Sequence, residues 1–241
     1  MHRPDVTIDR RFRGPQESAN GGYVAGLLAA MLAPATAEVR LHLPPPLHTP
    51  LTPRVIAGGV SEGRIDLLTQ QGTCIASAKP VPAVALDIPR APTLAQASDA
   101  AQRFRGYPVQ EFRGCFVCGP DRAAADGMRL FAGARTGLGV ATPWTPDHSL
   151  VRAGAVAMEF VWAALDCPGY FACRDDGAPM VLGQMTATIH ELPIAGTSYV
   201  ISGWPISRSG RKFTAGTALH AADGGLLAVA HAIWIELKPL V

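Results

Sequence analysis

The sequence predicts an α+β protein made of two similar units, and three observations lead to that prediction. Each half of the 241-residue chain has one helical segment near its start, followed by strand-like segments rather than by alternating helices and strands. In each half a Gly-Arg pair, at 63–64 and 210–211, opens a later strand. A glycine then introduces a strand of small residues, at 72–78 and 225–232. This repeated order predicts one helix followed by an antiparallel sheet, twice.

The first predicted helix begins after Asn20 and runs to Leu32. Asn20 is a favourable N-cap, because its side chain accepts hydrogen bonds from backbone N–H groups of the first turn. The residues that follow are apolar on all sides, which predicts a helix that is buried all round. Gly26 has no side chain and therefore allows another backbone to approach closely.

Strand-like segments surround this helix. One precedes it at 6–12, and others follow at 37–43 and 54–60, where alternation or β-branched residues favour extended chain. The segment 64–79 predicts two short strands around a turn at 70–72. Together these segments predict an antiparallel sheet for the first unit.

The composition changes between residues 80 and 112, where Pro, Ala, Ser, Asp and Gln dominate and no alternation is present. Such a stretch is typical of a surface linker between two units. We therefore expect an N-terminal unit at 1–85, a linker at 86–112 and a C-terminal unit at 113–241.

The second predicted helix spans 157–166. At about 100° per residue, one of its faces is apolar and the other carries the carboxylates of Glu159 and Asp166. Pro168 cannot continue a helix and Gly169 suits a helix exit, so we expect the helix to end at or just after Asp166. Two acids on the polar face of such a helix are more often exposed to solvent than catalytic.

The remaining C-terminal segments predict strands. Two precede the second helix, at 128–134 and 138–144, and the other four follow it, at 181–191, 198–205, 211–220 and 226–237. The last of them alternates most clearly, with alanines on one face and larger apolar residues on the other.

Composition excludes several functional classes. Hydrophobic residues make up 48% of the chain and charged residues 17%, which predicts a soluble globular protein. A formal net charge of +2 without a basic stripe argues against nucleic-acid binding. The longest apolar run, 23–35, is shorter than the roughly 20 residues of a membrane span. Five cysteines in a chain without a secretory signal suit reduced thiols, so we expect a cytoplasmic protein.

Three motifs resemble the tandem (double) hotdog proteins of the acyl-CoA thioesterase-like family. The segment 20–28 resembles the Gly-Gly-Tyr opening of the central helix in that family. Cys-Phe-Val-Cys-Gly-Pro at 115–120, with Gly-Met-Arg-Leu at 127–130, is similar to a segment that precedes the first strand of a hotdog unit. Gly-Arg-Lys-Phe at 210–213 resembles the Gly-Arg-Ser-Phe that opens a later strand.

The resemblance covers most of both halves outside the linker. It implies two fused units, each with a central helix wrapped by an antiparallel β-sheet. It also implies hydrolysis of an acyl-CoA or acyl-carrier thioester, without a cofactor, by a chain that forms homodimers.

Thioester hydrolysis requires a base for the attacking water and donors for the oxyanion. The first helix carries no acid, so the resemblance implies Asp166 as the base, with Glu159 one helical repeat earlier as the second candidate. The N–H groups at the start of the first helix are the expected donors. Arg211 and Lys212, with Arg208 nearby, are the candidates for contact with the phosphates of coenzyme A. The expected substrate-binding residues are Asn20, Gly21, Gly22, Tyr23 and Arg211.

Two other functions remain open from the sequence. Asn20 stands where the hotdog catalytic motif commonly has His, which leaves a noncatalytic acyl-CoA-binding or lipid-binding protein as one alternative. The Asp147-His148 pair leaves an enoyl-CoA hydratase-like enzyme as a weaker one.

A metal site is a third question. Cys115 and Cys118 have metal-ligand spacing, but Cys167 and Cys173 do not supply a standard second pair. We therefore expect these thiols to pack in the core, with no bound metal.

Overall fold

A computed structural model describes residues 3–32, 35–56, 63–106, 112–124, 126–137, 139–174 and 179–238. The described helices are α1 (Gly21–Leu32), α2 (Leu94–Ala101) and α3 (Met158–Cys173). None of them is long and apolar enough to cross a membrane.

Strands account for most of the remaining regular structure. The strands of the first half are β1 (Val6–Thr7), β2 (Thr36–Leu41), β3 (Pro50–Ile56), β4 (Arg64–Leu68) and β5 (Cys74–Pro80). Those before α3 are β6 (Gly133–Arg135), β7 (Gly139–Trp144), β8 (Val151–Arg152) and β9 (Ala155–Val156). The long strands after α3 are β10 (Met180–Ile189), β11 (Tyr199–Ser209), β12 (Lys212–Ala221) and β13 (Leu226–Glu236).

Eleven of these strands form one antiparallel sheet with a mirrored order. Outward from a central seam between β2 and β10, one side reads β2-β5-β4-β3-β1 and the other reads β10-β13-β12-β11-β7-β6. At the seam Ala37 lies opposite Ala187, and the hydroxyl groups of Thr36 and Thr188 are 2.9 Å apart. The two sides repeat the same helix-then-meander order, so the predicted α+β repeat is confirmed.

The two long helices pack against each other and against the sheet. α1 contacts β2 and β5, whereas α3 contacts β11 and β12. A Cβ atom on Gly22 would lie 2.5 Å from Cβ of Asp166, and one on Gly26 would lie 2.4 Å from Cα of Glu159. Because glycine has no Cβ, the helix backbones approach more closely than larger residues allow. The predicted burial of α1 on all sides is confirmed in part, because most residues from Gly22 to Ala29 are buried, whereas Leu27 is half-buried and Ala30 is exposed.

The structure corrects the predicted end and exposure of the second helix. α3 continues through Pro168 and Gly169 to Cys173, where the sequence predicted an end near Asp166. The helix is enclosed by the sheet. Pro168 has no N–H to donate to the carbonyl oxygen of Ala164, and at the next carbonyl oxygen, that of Leu165, the hydroxyl of Thr217 donates at 2.9 Å and links this turn to the sheet. The face of Asp166 packs on α1 and is not exposed to solvent, because Gly22 leaves room for it.

Two predicted strands are shorter than expected. After β1 the chain turns into a 3-10 segment, Arg10–Phe12, where the Asp9 carboxylate accepts from the backbone N–H of Arg11 at 2.7 Å. Such a local side-chain bond competes with strand pairing. In the segment predicted as a strand at 128–134, only the part from Gly133 onward is a strand. The preceding residues pair with the turn at 116–117, to which Met128 and Leu130 donate their N–H groups.

The predicted linker contains a helix, which corrects the expectation of irregular surface chain. α2 begins with a capping box between Thr93 and Gln96. Ala97 and Ala100 are fully buried and pack with residues of β7 and β11. Alanines are sufficient to bury one face of α2. The composition of this stretch therefore wrongly predicted irregular chain. The unit boundaries at 1–85, 86–112 and 113–241 stay a prediction.

Candidate active site

A cleft of about 620 Å³ lies beside the start of α1 and the middle of α3. Its walls come from the loop before α1, the end of β2, the start of β10 and the end of β13. Most of its lining is apolar, including the side chains of Leu41, Met180, Leu182, Trp234 and Ile235. The lining also includes the carboxyl group of Asp166 and the thiols of Cys115 and Cys167. An apolar cleft with a few polar groups is typical of a small-molecule site.

Asp166 is 2% exposed and is held by the start of the other helix. Its Oδ2 atom accepts from Nδ2 of Asn20 at 2.8 Å and from the backbone N–H of Gly22 at 3.1 Å. Its Oδ1 atom has no hydrogen-bond partner within the described part of the chain. One carboxyl oxygen is thus fixed by the protein, while the other is buried and still has unused capacity to accept a hydrogen bond.

Asn20 has two roles that follow from its place as the N-cap of α1. Its Oδ1 atom accepts from the backbone N–H of Tyr23 at 2.8 Å, which caps the first turn. Its Nδ2 group is therefore oriented away from that turn and donates to Asp166. The cap of one half of the chain positions the acid of the other half.

Burial changes the acidity of this carboxyl group. Removal from water raises the pKa of Asp166 to about 7, although the hydrogen bond from the backbone N–H of Gly22 and that from the Asn20 amide oppose the rise. The nearby Cys115 adds to the rise. The carboxyl group is therefore more easily protonated than that of an exposed aspartate.

Three thiols border the carboxyl group. The Sγ atoms of Cys115 and Cys167 are 3.8 Å apart, and Nδ2 of Asn20 lies 3.9 Å from Sγ of Cys115. Cys118 completes a group whose sulfur atoms lie within 4.8 Å of one another. Hydrogen bonds from the thiols of Cys118 and Cys167 lower the pKa of Cys115 well below its usual range. All five cysteines of the chain are described and none forms a disulfide.

Only some of the predicted site residues line the cleft. Asn20, Gly21 and Asp166 line the cleft. The N–H of Gly22, which the sequence suggested as a donor to substrate, donates to Asp166 instead. The predicted roles of these residues in catalysis and substrate binding stay predictions.

Glu159 and Tyr23 lie away from the cleft among the described residues. Glu159 precedes Asp166 by two helical turns, about 10 Å along the helix axis, and is half-buried against α1 near Gly26. The Tyr23 ring stacks on Phe12 with ring centroids 4.3 Å apart and also contacts Phe160. Neither residue lines the cleft, and the predicted roles of Glu159 as a second acid and of Tyr23 as a substrate contact stay predictions.

Arg211 and His148 also lie outside the cleft lining of the described chain. The guanidinium of Arg211 donates to the carbonyl oxygen of Glu236 at 3.0 Å, between two cleft residues of the C-terminal segment, Ile235 and Leu237. A phosphate contact by Arg211 stays a prediction. The Asp147 carboxylate accepts from the N–H of Ser149 at 2.8 Å in an exposed turn, so no cleft geometry favours a hydratase pair with His148.

Sequence reasoning missed several cleft residues. Cys167 and Tyr170 follow Asp166 on α3, but the expected helix end at Pro168 separated Tyr170 from the helix. Trp234 lies on the alanine-rich face of β13. Its large side chain among alanines was the only feature of the sequence that distinguished it from the rest of that face. Cys115 was predicted to pack in the core, because no spacing in the sequence indicates that it lies close to Cys167.

Comparison with known proteins reveals similarity of fold over the whole chain. No protein-family model and no curated protein matches the sequence. A TesB protein of Mycobacterium avium subspecies paratuberculosis is 16% identical, with a TM-score of 0.59 over 91% of this chain and 88% of that chain.

Two further solved structures match over 98% of this chain and 93% of their own. Acyl-CoA thioesterase II TesB2 of Mycobacterium marinum is 13% identical, with a TM-score of 0.62. A hot dog fold protein of unknown function from Alicyclobacillus acidocaldarius is 13% identical, with a TM-score of 0.60. Because this similarity spans both mirrored halves, the chain has the tandem hotdog fold predicted from its sequence.

Proposed function

We propose that the cleft binds an acyl thioester and hydrolyses it with Asp166 as the base. One observation carries the proposal. A buried carboxyl group in the cleft wall has Oδ2 fixed by Asn20 and Gly22 and Oδ1 without a partner in the described chain. The names of the TesB and acyl-CoA thioesterase II structures of similar fold favour the same chemistry.

The reaction follows from this geometry. A water molecule bound to Oδ1 of Asp166 attacks the carbonyl carbon of the thioester and transfers a proton to the carboxylate. The tetrahedral intermediate then breaks its carbon–sulfur bond and releases the thiolate, which takes up the proton from Asp166. The products are a carboxylic acid and a free thiol. Asn20 and Gly22 act as positioning residues, because they hold Oδ2 and leave Oδ1 facing the water.

The oxyanion requires a donor, and we assign that role to the backbone N–H of Gly21. Gly21 is the first residue of α1 and lines the cleft. N–H groups in the first turn of a helix have no partner within the helix, and the helix dipole favours negative charge at this end. The N–H groups of Gly22 and Tyr23 already donate to Asp166 and Asn20.

The apolar walls suit the acyl chain. Leu41, Leu182 and Ile235 would contact an acyl group whose carbonyl lies near Gly21. Coenzyme A is the proposed thiol carrier, and Arg211 is its proposed phosphate contact, at the end of the cleft formed by Ile235 and Leu237.

Thiol release and binding, measured on the same panel of acyl-CoA esters of increasing chain length, test the proposal. We expect thiol release that saturates with acyl-CoA concentration, and tighter binding as apolar carbons are added until the cleft is full. Binding without thiol release would favour the noncatalytic acyl-CoA-binding protein and contradict the hydrolase. Neither binding nor release would contradict both.

We also propose that two chains associate and that the protein works in a reducing compartment. Val55 and Ile56 on β3 and Ile206 on β11 are exposed, which favours their cover by a second copy. Five thiols without a disulfide suit the cytoplasm. Light scattering coupled to gel filtration tests the first proposal: we expect the mass of a dimer, and the mass of one chain at all concentrations would contradict it.

A further inference from the structure

The thiol cluster of Cys115, Cys118 and Cys167 is the strongest group of donor atoms outside the proposed reaction. The three side chains are 2%, 0% and 3% exposed. Their sulfur atoms lie within 4.8 Å of one another, although Cys167 belongs to α3 and the other two to the loop before β6. The fold thus brings together soft donor atoms from two separate parts of the chain.

The loop at 115–119 has the geometry of a metal-binding turn. The backbone N–H of Gly119 donates to the carbonyl oxygen of Cys115 at 2.9 Å, which closes the turn and places Cys115 and Cys118 on the same side. In a turn of this kind the backbone N–H groups that follow the first cysteine lie near its sulfur, where they stabilise a thiolate ligand.

Gly119 is required by this turn. A Cβ atom at this position would lie 2.5 Å from the carbonyl oxygens of both Arg113 and Cys115. These are backbone atoms that cannot move aside without opening the turn. The sequence Cys-x-x-Cys-Gly is therefore explained by backbone crowding as well as by the position of the thiols.

The sulfur separation matches the size of a zinc ion. Two thiolates bound to one zinc ion at about 2.3 Å in a tetrahedral arrangement lie about 3.8 Å apart. The Sγ atoms of Cys115 and Cys167 are 3.8 Å apart. This pair therefore already has the separation of two zinc ligands, and the third sulfur atom lies within 4.8 Å of both.

Positive charge beside the cluster favours three thiolates around a divalent ion. The Nε groups of Arg13 and Arg122 both donate to the carbonyl oxygen of Gly114, at 3.1 and 2.8 Å. They lie next to Cys115, and Arg122 is buried. Arg122 also forms an ion pair with Asp126 at 2.6 Å, so Arg13 supplies most of the positive charge that reduces the free energy cost of burying a site with a net charge of about −1.

We propose that Cys115, Cys118 and Cys167 bind one zinc ion. Cys115 and Cys167 line the cleft, so the fourth coordination position faces the cleft and takes a water molecule. Binding displaces the thiol protons to solvent. The proposal does not depend on hydrolysis, because it concerns the metal content of the protein in the absence of substrate.

Zinc content of the reduced, full-length protein is the first test. We expect one zinc ion per chain by plasma mass spectrometry after dialysis against metal-free buffer. Cys115→Ser, Cys118→Ser and Cys167→Ser should each lower the content at least tenfold. Cys173→Ser and Cys74→Ser are matched controls that lie outside the cluster, and they should retain the ion. Full zinc content in Cys167→Ser, or none in the wild-type protein supplied with zinc, would overturn the proposal.

A second test uses only the wild-type chain, because a cysteine variant can fail to fold. Cobalt should replace zinc and produce the intense near-ultraviolet absorption of sulfur-to-cobalt charge transfer. Removal of the metal with a chelator should lower the thermal unfolding midpoint by several degrees, and added zinc should restore it, because a ligand of the native state stabilises that state. No charge-transfer band and no shift of the midpoint would contradict the site.

Discussion

The two central helices occupy equivalent places in the mirrored sheet but differ where a site would form. α1 begins after Asn20, whose side chain caps the helix and reaches Asp166. α3 begins after Ala157, which makes no side-chain cap. Asp166 lies on α3, whereas Ala29, at the same distance from its own N-cap, occupies the corresponding position on α1. The start of α1 thus has a side-chain cap and faces an acid on the other helix. The start of α3 has no side-chain cap, and α1 has Ala29 where α3 has Asp166.

This difference teaches that duplication of a fold need not duplicate a site. A symmetric pair of helices would place an acid and a capping amide at both ends. Here each half keeps one component, so the proposed active site is a single composite per chain. The close approach of the helices, through Gly22 opposite Asp166 and Gly26 opposite Glu159, is preserved at both ends.

The largest expected effect comes from filling these two contacts. Gly22→Ala and Gly26→Ala should each lower the free energy of unfolding by about 1–3 kcal/mol, because the new Cβ would overlap α3 atoms at 2.5 and 2.4 Å. Urea unfolding measures the change. Gly63→Ala is the control, because no atom of the described residues lies within 4 Å of its Cβ position, and it should change stability by less than about 0.5 kcal/mol. Equal effects of all three variants would contradict the close helix packing.

The sequence predicted the parts of this fold that depend on local pattern. β10 to β13 were predicted because alternation is visible within each strand, and the helix start at Asn20 because capping is local. The end of α3 was not predicted, because the helix continues past Pro168 in a buried environment that no local pattern shows. α2 was missed because alanines rather than large apolar residues form its buried face.

The candidate site, like the fold, was predicted from the sequence only in part. Asp166 was selected because α1 carries no acid, which is a property of the sequence alone. Its hydrogen bond to Asn20 and the contact of Cys115 with Cys167 arise from tertiary packing between separate segments. No spacing rule detects such contacts.

A smaller effect is expected at the cap itself. Asn20→Ala should lower the free energy of unfolding by about 1–2 kcal/mol, because the first turn of α1 and the buried carboxyl group each lose a hydrogen bond. It should also slow thioester hydrolysis about tenfold, since Asp166 loses one of its two positioning donors. Chemical unfolding and thiol release on the same preparation check both effects.

The start of α3 provides a comparison for Asn20→Ala. Ala157→Ser introduces a capping side chain where α3 has none, and should raise the free energy of unfolding by about 0.5 kcal/mol. It should leave hydrolysis unchanged, because this end carries no site. A loss of hydrolysis in Ala157→Ser as large as that in Asn20→Ala would contradict the asymmetry.

A last effect on stability concerns the turn of α3 that precedes Pro168. Thr217→Val should lower the free energy of unfolding by about 1 kcal/mol, because the carbonyl oxygen of Leu165 loses its buried donor. Thr217→Ser retains the hydroxyl and should cost less, as measured by thermal unfolding. If Val were tolerated better than Ser, this hydrogen bond would not support the helix beyond Pro168.

The comparison of the two acids on α3 tests the central claim most directly. Asp166→Asn keeps the shape of the side chain and its acceptor for Asn20 and Gly22, but cannot take a proton from water. We expect it to bind acyl-CoA within about threefold of the wild-type affinity and to release thiol at least about 100-fold more slowly. Glu159→Gln, outside the cleft, should retain the wild-type rate. An undiminished rate in Asp166→Asn, measured in the same thiol-release assay, would contradict the account.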